Sequence, residues 1–127
     1  MREILFRGES VDNGEWVFGG YMKNINGTYI SDTKHYHLNA SYKHYLVDSK
    51  TIGQYTGLKD KNGKMIFEGD IIEYKDSTGL HHETVVFDKG CFYAGFHGGS
   101  STREAPKLIN TRISKVVGNI YEVEEWR

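Results

Sequence analysis

The sequence is poor in the residues that crosslink or interrupt a chain: among 127 residues it has one cysteine, Cys91, and one proline, Pro106. A single cysteine excludes an internal disulfide and fits a reducing compartment. No apolar run approaches the ~20 residues that a membrane-spanning helix needs, and the first residues lack the apolar segment of a signal peptide. These absences predict a cytoplasmic protein that makes no membrane contact.

An excess of charge of one sign is also missing. The chain has 16 Lys and Arg residues against 17 Asp and Glu residues, which gives a net charge of -1. This balance lacks the excess of positive charge that is typical of nucleic-acid-binding proteins, although it is compatible with a local basic patch. Low net charge also weakens repulsion between copies, which suits a protein that self-associates.

What the sequence does have is aromatic residues, glycine and hairpin turns. Nine tyrosines, six phenylalanines and two tryptophans accompany 15 glycines, a composition that favours sheets. Asn13-Gly14, Asn26-Gly27 and Asn62-Gly63 lie between apolar runs, the strongest short-range signal for a hairpin. The Gly19-Gly20 pair inside a predicted strand indicates a bulge or a close backbone contact. The predicted strands cover residues 4–7, 16–23, 28–30, 45–47, 52–58, 65–67, 71–74, 82–88, 91–96, 107–109 and 113–122.

This pattern predicts a mainly β fold. Antiparallel meanders would form a small barrel or sandwich, with at most one or two short helices. The length predicts a single domain over residues 1–127, with room for an N-terminal β subdomain (1–50) packed on a C-terminal barrel-like one (51–127). Residues 31–50, rich in histidine and tyrosine, are predicted to form a long loop with one short strand, which makes them a functional or interface element.

A family resemblance starts in the middle of the chain. Residues 51–72, TIGQYTGLKDKNGKMIFEGDII, resemble the signature of the YopX family. The strings ILFRG (4–8), VVFD (85–88), GCF (90–92) and VVGNIYE (116–122) are similar to further family motifs in the same order. The family occurs in temperate phages and prophages of Gram-positive bacteria, is mainly β and has no established activity. The resemblance therefore implies a phage-encoded cytoplasmic accessory protein, and it supplies no catalytic residues.

The turn between residues 59 and 64 is the candidate binding loop, because loops on rigid scaffolds often carry function. Its candidate residues are Lys59, Lys61, Asn62 and Lys64. The competing interpretation is that the chemistry of this turn only serves the fold.

Three histidines are the candidate metal ligands. His35 and His37 share one face if they lie on a strand, and His44 could add a third nitrogen to a zinc site. The spacing matches no established zinc motif, and surface histidines in an aromatic loop explain it as well. The sequence therefore predicts no metal and no cofactor, with a metal-dependent enzyme as a remote alternative.

Other reactive side chains also have simpler explanations. Cys91 with His97 or His82 could act as nucleophile and base, but a cysteine in GCFYAGF usually packs as a small apolar residue. Among the carboxylates Glu68, Asp70 and Glu73, which could bind magnesium or transfer protons, Asp70 is expected to bond backbone amides in its turn. No catalytic role is predicted, so the protein is expected not to be an enzyme.

Two binding functions remain open. The first is a non-enzymatic module that acts through protein contacts and forms a homo-oligomer, since Tyr and Trp are enriched at interfaces. The second is a small nucleic-acid-binding barrel, in which aromatic side chains stack on bases and lysines meet phosphates. The aromatic candidates are Trp16, Tyr21, Tyr29, Tyr36, Tyr42 and Tyr45, and the basic ones are Lys23, Lys34 and Lys43 together with Lys59, Lys61 and Lys64.

Overall fold

The structure is a computed structural model that describes residues 3–32, 43–88, 90–96 and 108–122. Its strands are antiparallel and its only helical segment in these ranges is a 3-10 turn at Ser49–Thr51, so the predicted mainly β fold is confirmed. Within the same ranges, no helix has the length and apolar character that crossing a membrane requires. The strands are β1 (Phe6–Glu9), β2 (Trp16–Asn24), β3 (Gly27–Asp32), β4 (Lys43–Val47), β5 (Gly53–Lys59), β6 (Met65–Phe67), β7 (Asp70–Asp76), β8 (Gly79–Asp88), β9 (Cys91–Phe96) and β10 (Lys115–Asn119).

The predicted Asn-Gly turns form as expected. Gly14 precedes β2, Gly27 begins β3 and Gly63 lies between β5 and β6, and their φ angles of 73°, 145° and 82° are positive. Because a side chain disfavours that backbone region, glycine is the residue that fits these reversals. Local turn chemistry thus sets where the sheet strands start and stop.

Residues 1–55 form the first of two compact units. Its strands lie in the order β4-β3-β2-β1-β5. The end of β4 also turns back to the end of β1, through a bridge between Ser10 and Val47 and a backbone hydrogen bond of 3.1 Å from Val11 to Leu46. The core of this unit is centred on Ile30 and Val47, which are buried.

At Gly19 the backbones of two strands of this unit approach each other closely. A Cβ atom at this position would lie 1.7 Å from the carbonyl oxygen of Ser31 in β3. A Cβ at the neighbouring Gly20 would have no heavy atom within 4 Å. The predicted close backbone contact is therefore confirmed, and it involves Gly19, the first glycine of the pair. The glycine pair forms no bulge, because the registers of β2 with β1 and β3 continue without a shift.

Residues 56–127 form the second unit. The second half of β5 pairs with β6, and a four-stranded sheet follows in the order β10-β7-β8-β9. Its core is apolar and buried, because alternate side chains of β7, β8 and β9 face the same side. The core residues are Ile66, Ile72, Val85 and Ala94, with Ile109 and Val116 packed against them.

The last predicted strand is shorter than expected. It covers Lys115–Asn119 rather than residues 113–122. It starts later because the amides of Ile113 and Ser114 donate to the carbonyl of Asn110 in a turn. It ends earlier because the buried side chain of Asn119 accepts hydrogen bonds from the backbone amides of Tyr121 and Glu122. The predicted irregularity near Gly118 is confirmed as a register shift between Val116 and Gly118. The predicted strand at 107–109 is wrong for residues 108 and 109, which carry no strand structure.

Candidate functional site

The predicted binding loop is an exposed turn held by one buried carboxylate. The side chains of Lys59, Lys61 and Lys64 are exposed, as is Asn62. Beneath them the buried Asp60 accepts backbone hydrogen bonds at Oδ1 from Asn62 and Lys64, at 2.8 and 2.9 Å. The turn therefore presents three ammonium groups from a fixed backbone.

The second oxygen of Asp60 reaches a different element. Oδ2 accepts a hydrogen bond of 2.8 Å from the backbone amide of Val116 in β10. Burial by itself raises the pKa of Asp60, but the backbone hydrogen bonds from Val116, Lys64 and Asn62 outweigh it and lower the pKa below its usual 3.8. Asp60 is thus a charged group that serves the fold.

The histidine hypothesis is covered only in part by the structure. His35 and His37 lie outside the described residues, while His44 is exposed on β4 and its Nδ1 lies 2.8 Å from the hydroxyl of Ser31. Among the residues that are described, no group of three or more His, Cys, Asp or Glu side chains is placed to hold a metal ion.

The structure does not bring Cys91 and His82 together. Strand register places Cys91 opposite Asp88, six residues along β8 from His82, which is about 20 Å at ~3.3 Å per residue. The expectation that Cys91 packs as a buried apolar residue is also wrong: it is exposed, since it begins an outer strand of the sheet, and its hydrogen bond with Tyr93 raises the pKa of that phenol. His97 lies outside the described residues.

The three candidate carboxylates do not converge. Asp70 is buried and accepts a hydrogen bond of 2.8 Å from the backbone amide of Phe67, as predicted. Glu73 bonds His82 at 2.9 Å and Lys115 at 3.4 Å on the opposite face of β7. The hydrogen bond from His82, helped by Lys115, lowers the pKa of Glu73. Neither arrangement builds a magnesium site or an acid–base pair with Glu68.

The described candidate aromatics make contacts within the first unit. The Arg7 guanidinium lies 4.9 Å from the ring centroid of Trp16, and Tyr21 packs against Phe6 at 5.4 Å. The Lys43 ammonium lies 5.4 Å from the ring centroid of Tyr45. Tyr36, Tyr42 and Lys34 lie outside the described residues.

One face of the first unit presents a row of apolar side chains, the apolar row, which consists of the exposed Met22 and Leu46 and the half-buried Tyr29. These three residues are opposite one another on β2, β3 and β4, so they share a face. Met22 is 42% exposed and Leu46 is 37% exposed. Ile25, at the turn between β2 and β3, is completely exposed, and Val11 is exposed beside Leu46. Such contiguous exposed apolar surface is typical of an interaction site.

The second unit contains a cavity of about 310 Å³, the β7–β8 cavity. Its apolar walls come from Ile72, Ala94, Leu108 and Ile113, and its polar lining from Tyr74, Asp76, Glu83, Asn110 and Ser114. The volume lies at the lower end of the ~300–1,000 Å³ that small-molecule sites occupy.

Two residues of this lining each have a polar atom that is shielded from solvent and has no hydrogen-bond partner among the described residues. These atoms are Oε2 of Glu83 and Oγ of Ser114. The other oxygen of Glu83, Oε1, accepts a hydrogen bond of 2.8 Å from the hydroxyl of Tyr74. Because buried polar atoms normally have partners, two unpartnered atoms on residues that line one cavity indicate a site for a polar ligand group.

A second carboxylate lies in the same lining. Oδ1 of Asp76 accepts hydrogen bonds from the hydroxyl and the backbone amide of Thr78, at 2.6 and 2.8 Å, and lies 2.9 Å from Nε2 of His81. These contacts, led by the Thr78 hydroxyl, lower the pKa of Asp76 to about 2. The imidazole of His81 in turn stacks on Tyr74. Asp76 therefore stays negatively charged at neutral pH.

Sequence reasoning missed the residues of this cavity. Tyr74 and Glu83 were part of predicted strands, and the alternation of β7 and β8 puts both on the same face as Ile72. A polar pair at core-facing positions was the available signal. The sequence contains no comparable indication for Ser114, because its place in the cavity lining depends on the turn at residues 110–114.

The structure defines a class: a mainly β protein of two antiparallel units, with an exposed apolar row on one unit and a polar-lined cavity in the other. The model of one family, described as YopX protein, matches residues 5–125. The chain belongs to the YopX family, as its motifs indicated. Among curated proteins, none matches this sequence.

Proposed function

We propose that this protein is a non-enzymatic interaction module that binds a second copy of itself through the apolar row of the first unit. The observation that carries the proposal is the in-register alignment of the exposed Met22 and Leu46 with the half-buried Tyr29 on three neighbouring strands. The phage origin and cytoplasmic location that the family resemblance implies belong to the same proposal.

The surroundings of the apolar row support an interface. The next row on the same face consists of Gly20, Ser31 and His44, in which the Ser31 hydroxyl bonds His44. Two consecutive rows thus lack Asp, Glu, Lys and Arg, and the centres of protein interfaces are likewise depleted in charge and enriched in Tyr and Met. Two copies of such a face can approach without burying unpaired charges.

A second copy suits this face better than a charged partner. A twofold contact uses the same patch on both subunits, so the patch must complement itself. An uncharged apolar row meets that condition, and the net charge of -1 adds little repulsion between copies.

Three buried polar side chains support a non-enzymatic role, because they are engaged in maintaining the fold. Asp60 and Asn119 bond backbone amides in turns. The hydroxyl of Thr51 likewise accepts from the amide of Glu9 and donates to the carbonyl of Asp48.

Sedimentation velocity at micromolar protein concentration tests the proposal. The wild-type chain is expected to sediment as a dimer or larger assembly, and Met22→Lys or Leu46→Lys is expected to shift it to monomer, because the interface would then bury an unpaired ammonium group. The matched control is Leu80→Lys on β8, since Leu80 is equally apolar and is exposed in the second unit. A monomeric wild-type chain, or an equal effect of the control, would overturn the proposal.

The exposed lysines of the turn after β5 favour a second candidate function, binding to single-stranded nucleic acid. Lys59, Lys61 and Lys64 project from one fixed turn, and each neutralised phosphate makes affinity more salt-dependent. Binding of a single-stranded oligonucleotide that weakens with salt, and weakens further in a triple Lys→Ser variant of this turn, would support it. Absence of any salt-dependent binding would remove this candidate.

A further inference from the structure

We infer that the β7–β8 cavity binds a small cationic molecule, one whose amidinium, guanidinium or ammonium group is attached to an apolar body. The carboxylate of Glu83 would accept hydrogen bonds from the cation at Oε2, while the apolar body lies among Ile72, Ala94 and Leu108. This inference is independent of the proposed self-association, because every residue in it belongs to the second unit.

The unpartnered atoms determine which hydrogen-bonding groups the ligand must have. Oε2 of Glu83 is an acceptor, and its neighbour Oε1 already receives the Tyr74 hydroxyl proton. The hydroxyl of Ser114, a residue only 1% exposed, can accept as well as donate. A ligand group with several N–H donors satisfies both atoms, and bonds from a cation to a carboxylate are the stronger kind.

Charge in the cavity selects the same ligand class. The described lining contains two carboxylates, Glu83 and Asp76, and no lysine or arginine. Asp76 lies in a network with Thr78 and His81, which holds its carboxylate in place. Both negative charges attract a cation and repel an anion.

The site is built from rigid elements. Tyr74 lies on β7 and Glu83 on β8, and these strands are paired over the residues from Ile71 to Asp76. Both backbone polar groups of Ser114 are hydrogen-bonded. Its amide donates to the carbonyl of Asn110, and its carbonyl accepts from the amide of Lys61 at 3.0 Å. Groups held in this way are preorganised for a ligand and lose little freedom when it binds.

Benzamidine is the probe that matches this chemistry, because it joins an amidinium to an aromatic ring. A nuclear magnetic resonance titration of the full ¹⁵N-labelled chain is expected to show saturable shifts at the amides of Tyr74, Glu83 and Ser114. Benzoate, which has the same ring with a carboxylate, is expected to cause no such shifts. No binding of benzamidine up to about 10 mM, or shifts that map outside the second unit, would overturn the inference.

Two variants distinguish binding of benzamidine at the cation site from non-specific binding. Glu83→Gln keeps the shape of the side chain but removes its charge, so benzamidine affinity is expected to fall about tenfold or more. The matched control is Glu73→Gln, which changes a glutamate on the opposite face of the neighbouring strand and is expected to leave the affinity unchanged. Equal affinity of wild type and Glu83→Gln would contradict the inference.

Ser114→Ala tests the inference independently, in case Glu83→Gln does not fold. Removing a hydroxyl that has no partner is expected to leave the ligand-free protein as stable as wild type or more stable. The same change is expected to weaken benzamidine binding several-fold. Loss of stability without loss of binding would show that the hydroxyl serves the fold and not a ligand.

Discussion

The side chain of Asp60 bonds the backbone amide of Val116, which lies 56 residues further along the chain, at a distance of 2.8 Å. One carboxylate thereby closes the turn after β5 at Oδ1 and fastens β10 at Oδ2. The neighbouring bond between Lys61 and Ser114 has the same effect, and it positions Ser114 in the cavity lining. The turn after β5, which has the most recognisable sequence in the chain, therefore stabilises the fold of the second unit.

Replacing Asp60 tests this role. Asp60→Asn is expected to lower the free energy of unfolding by about 2 kcal/mol, because one oxygen becomes an NH2 group that cannot accept from the partly buried amide of Val116. Urea unfolding monitored by tryptophan fluorescence and circular dichroism measures the loss. Lys61→Ala removes an exposed side chain from the same turn and is expected to change stability by less than about 0.5 kcal/mol. Equal stabilities of wild type and Asp60→Asn would refute the role.

Acid stability follows from the same carboxylate. The pKa of Asp60 is lower in the folded protein than its usual 3.8, so the folded state binds fewer protons than the unfolded state. Its contribution is therefore complete above about pH 5 and is lost as pH falls through the usual value towards the lower, folded-state value. Unfolding curves at several pH values are expected to show a steeper acid loss for wild type than for Asp60→Asn. Parallel pH profiles would argue against this assignment.

The adjacent glycines of β2 form a matched pair. Gly19→Ala is expected to cost about 3 kcal/mol or more, because its Cβ would overlap the carbonyl oxygen of Ser31 and the paired strands would have to move apart. Gly20→Ala places the same methyl group in open space and is expected to be nearly neutral. Thermal unfolding of both variants provides the comparison, and similar melting temperatures would show that the strands do not approach this closely.

The carboxylate of Asp76 gives a direct spectroscopic test of the cavity. Carbon-detected nuclear magnetic resonance is expected to find its pKa at about 2, since Thr78 and His81 stabilise the charged form. Thr78→Val removes the 2.6 Å hydrogen bond from the hydroxyl and is expected to raise this pKa towards the usual 3.8. Ser77→Ala, in the same turn, is the control and is expected to leave the titration unchanged. An ordinary pKa in wild type would contradict the described network.

Strand boundaries were predictable where local chemistry decides them. The glycine-containing turns and the alternating runs around them gave β2, β6 and β9 within one residue of their observed ends. The closing strand was overestimated, because the run from Ile113 to Glu122 is apolar enough for a strand but the side chain of Asn119 competes for the backbone amides that follow it. A single side chain bond of this kind changes no periodicity, so the pattern did not reveal it.

Sites were less predictable than strands. The lysines of the turn are exposed and their role as a binding loop stays a prediction, whereas Glu83 and Ser114 were not recognised. Cys91 was expected to be buried because of its apolar neighbours, but it occupies the first position of an outer strand, where neighbours in sequence do not decide exposure.

By itself, the sequence determined the family, the mainly β class and the positions of the reversals, because turn geometry depends on the few residues that form the turn. Only the tertiary structure decided that Asp60 meets Val116, that three apolar side chains line up on β2, β3 and β4, and that Glu83 and Ser114 face one cavity. These contacts join residues that are distant in the chain, and their formation depends on strand register and packing, which no local pattern encodes.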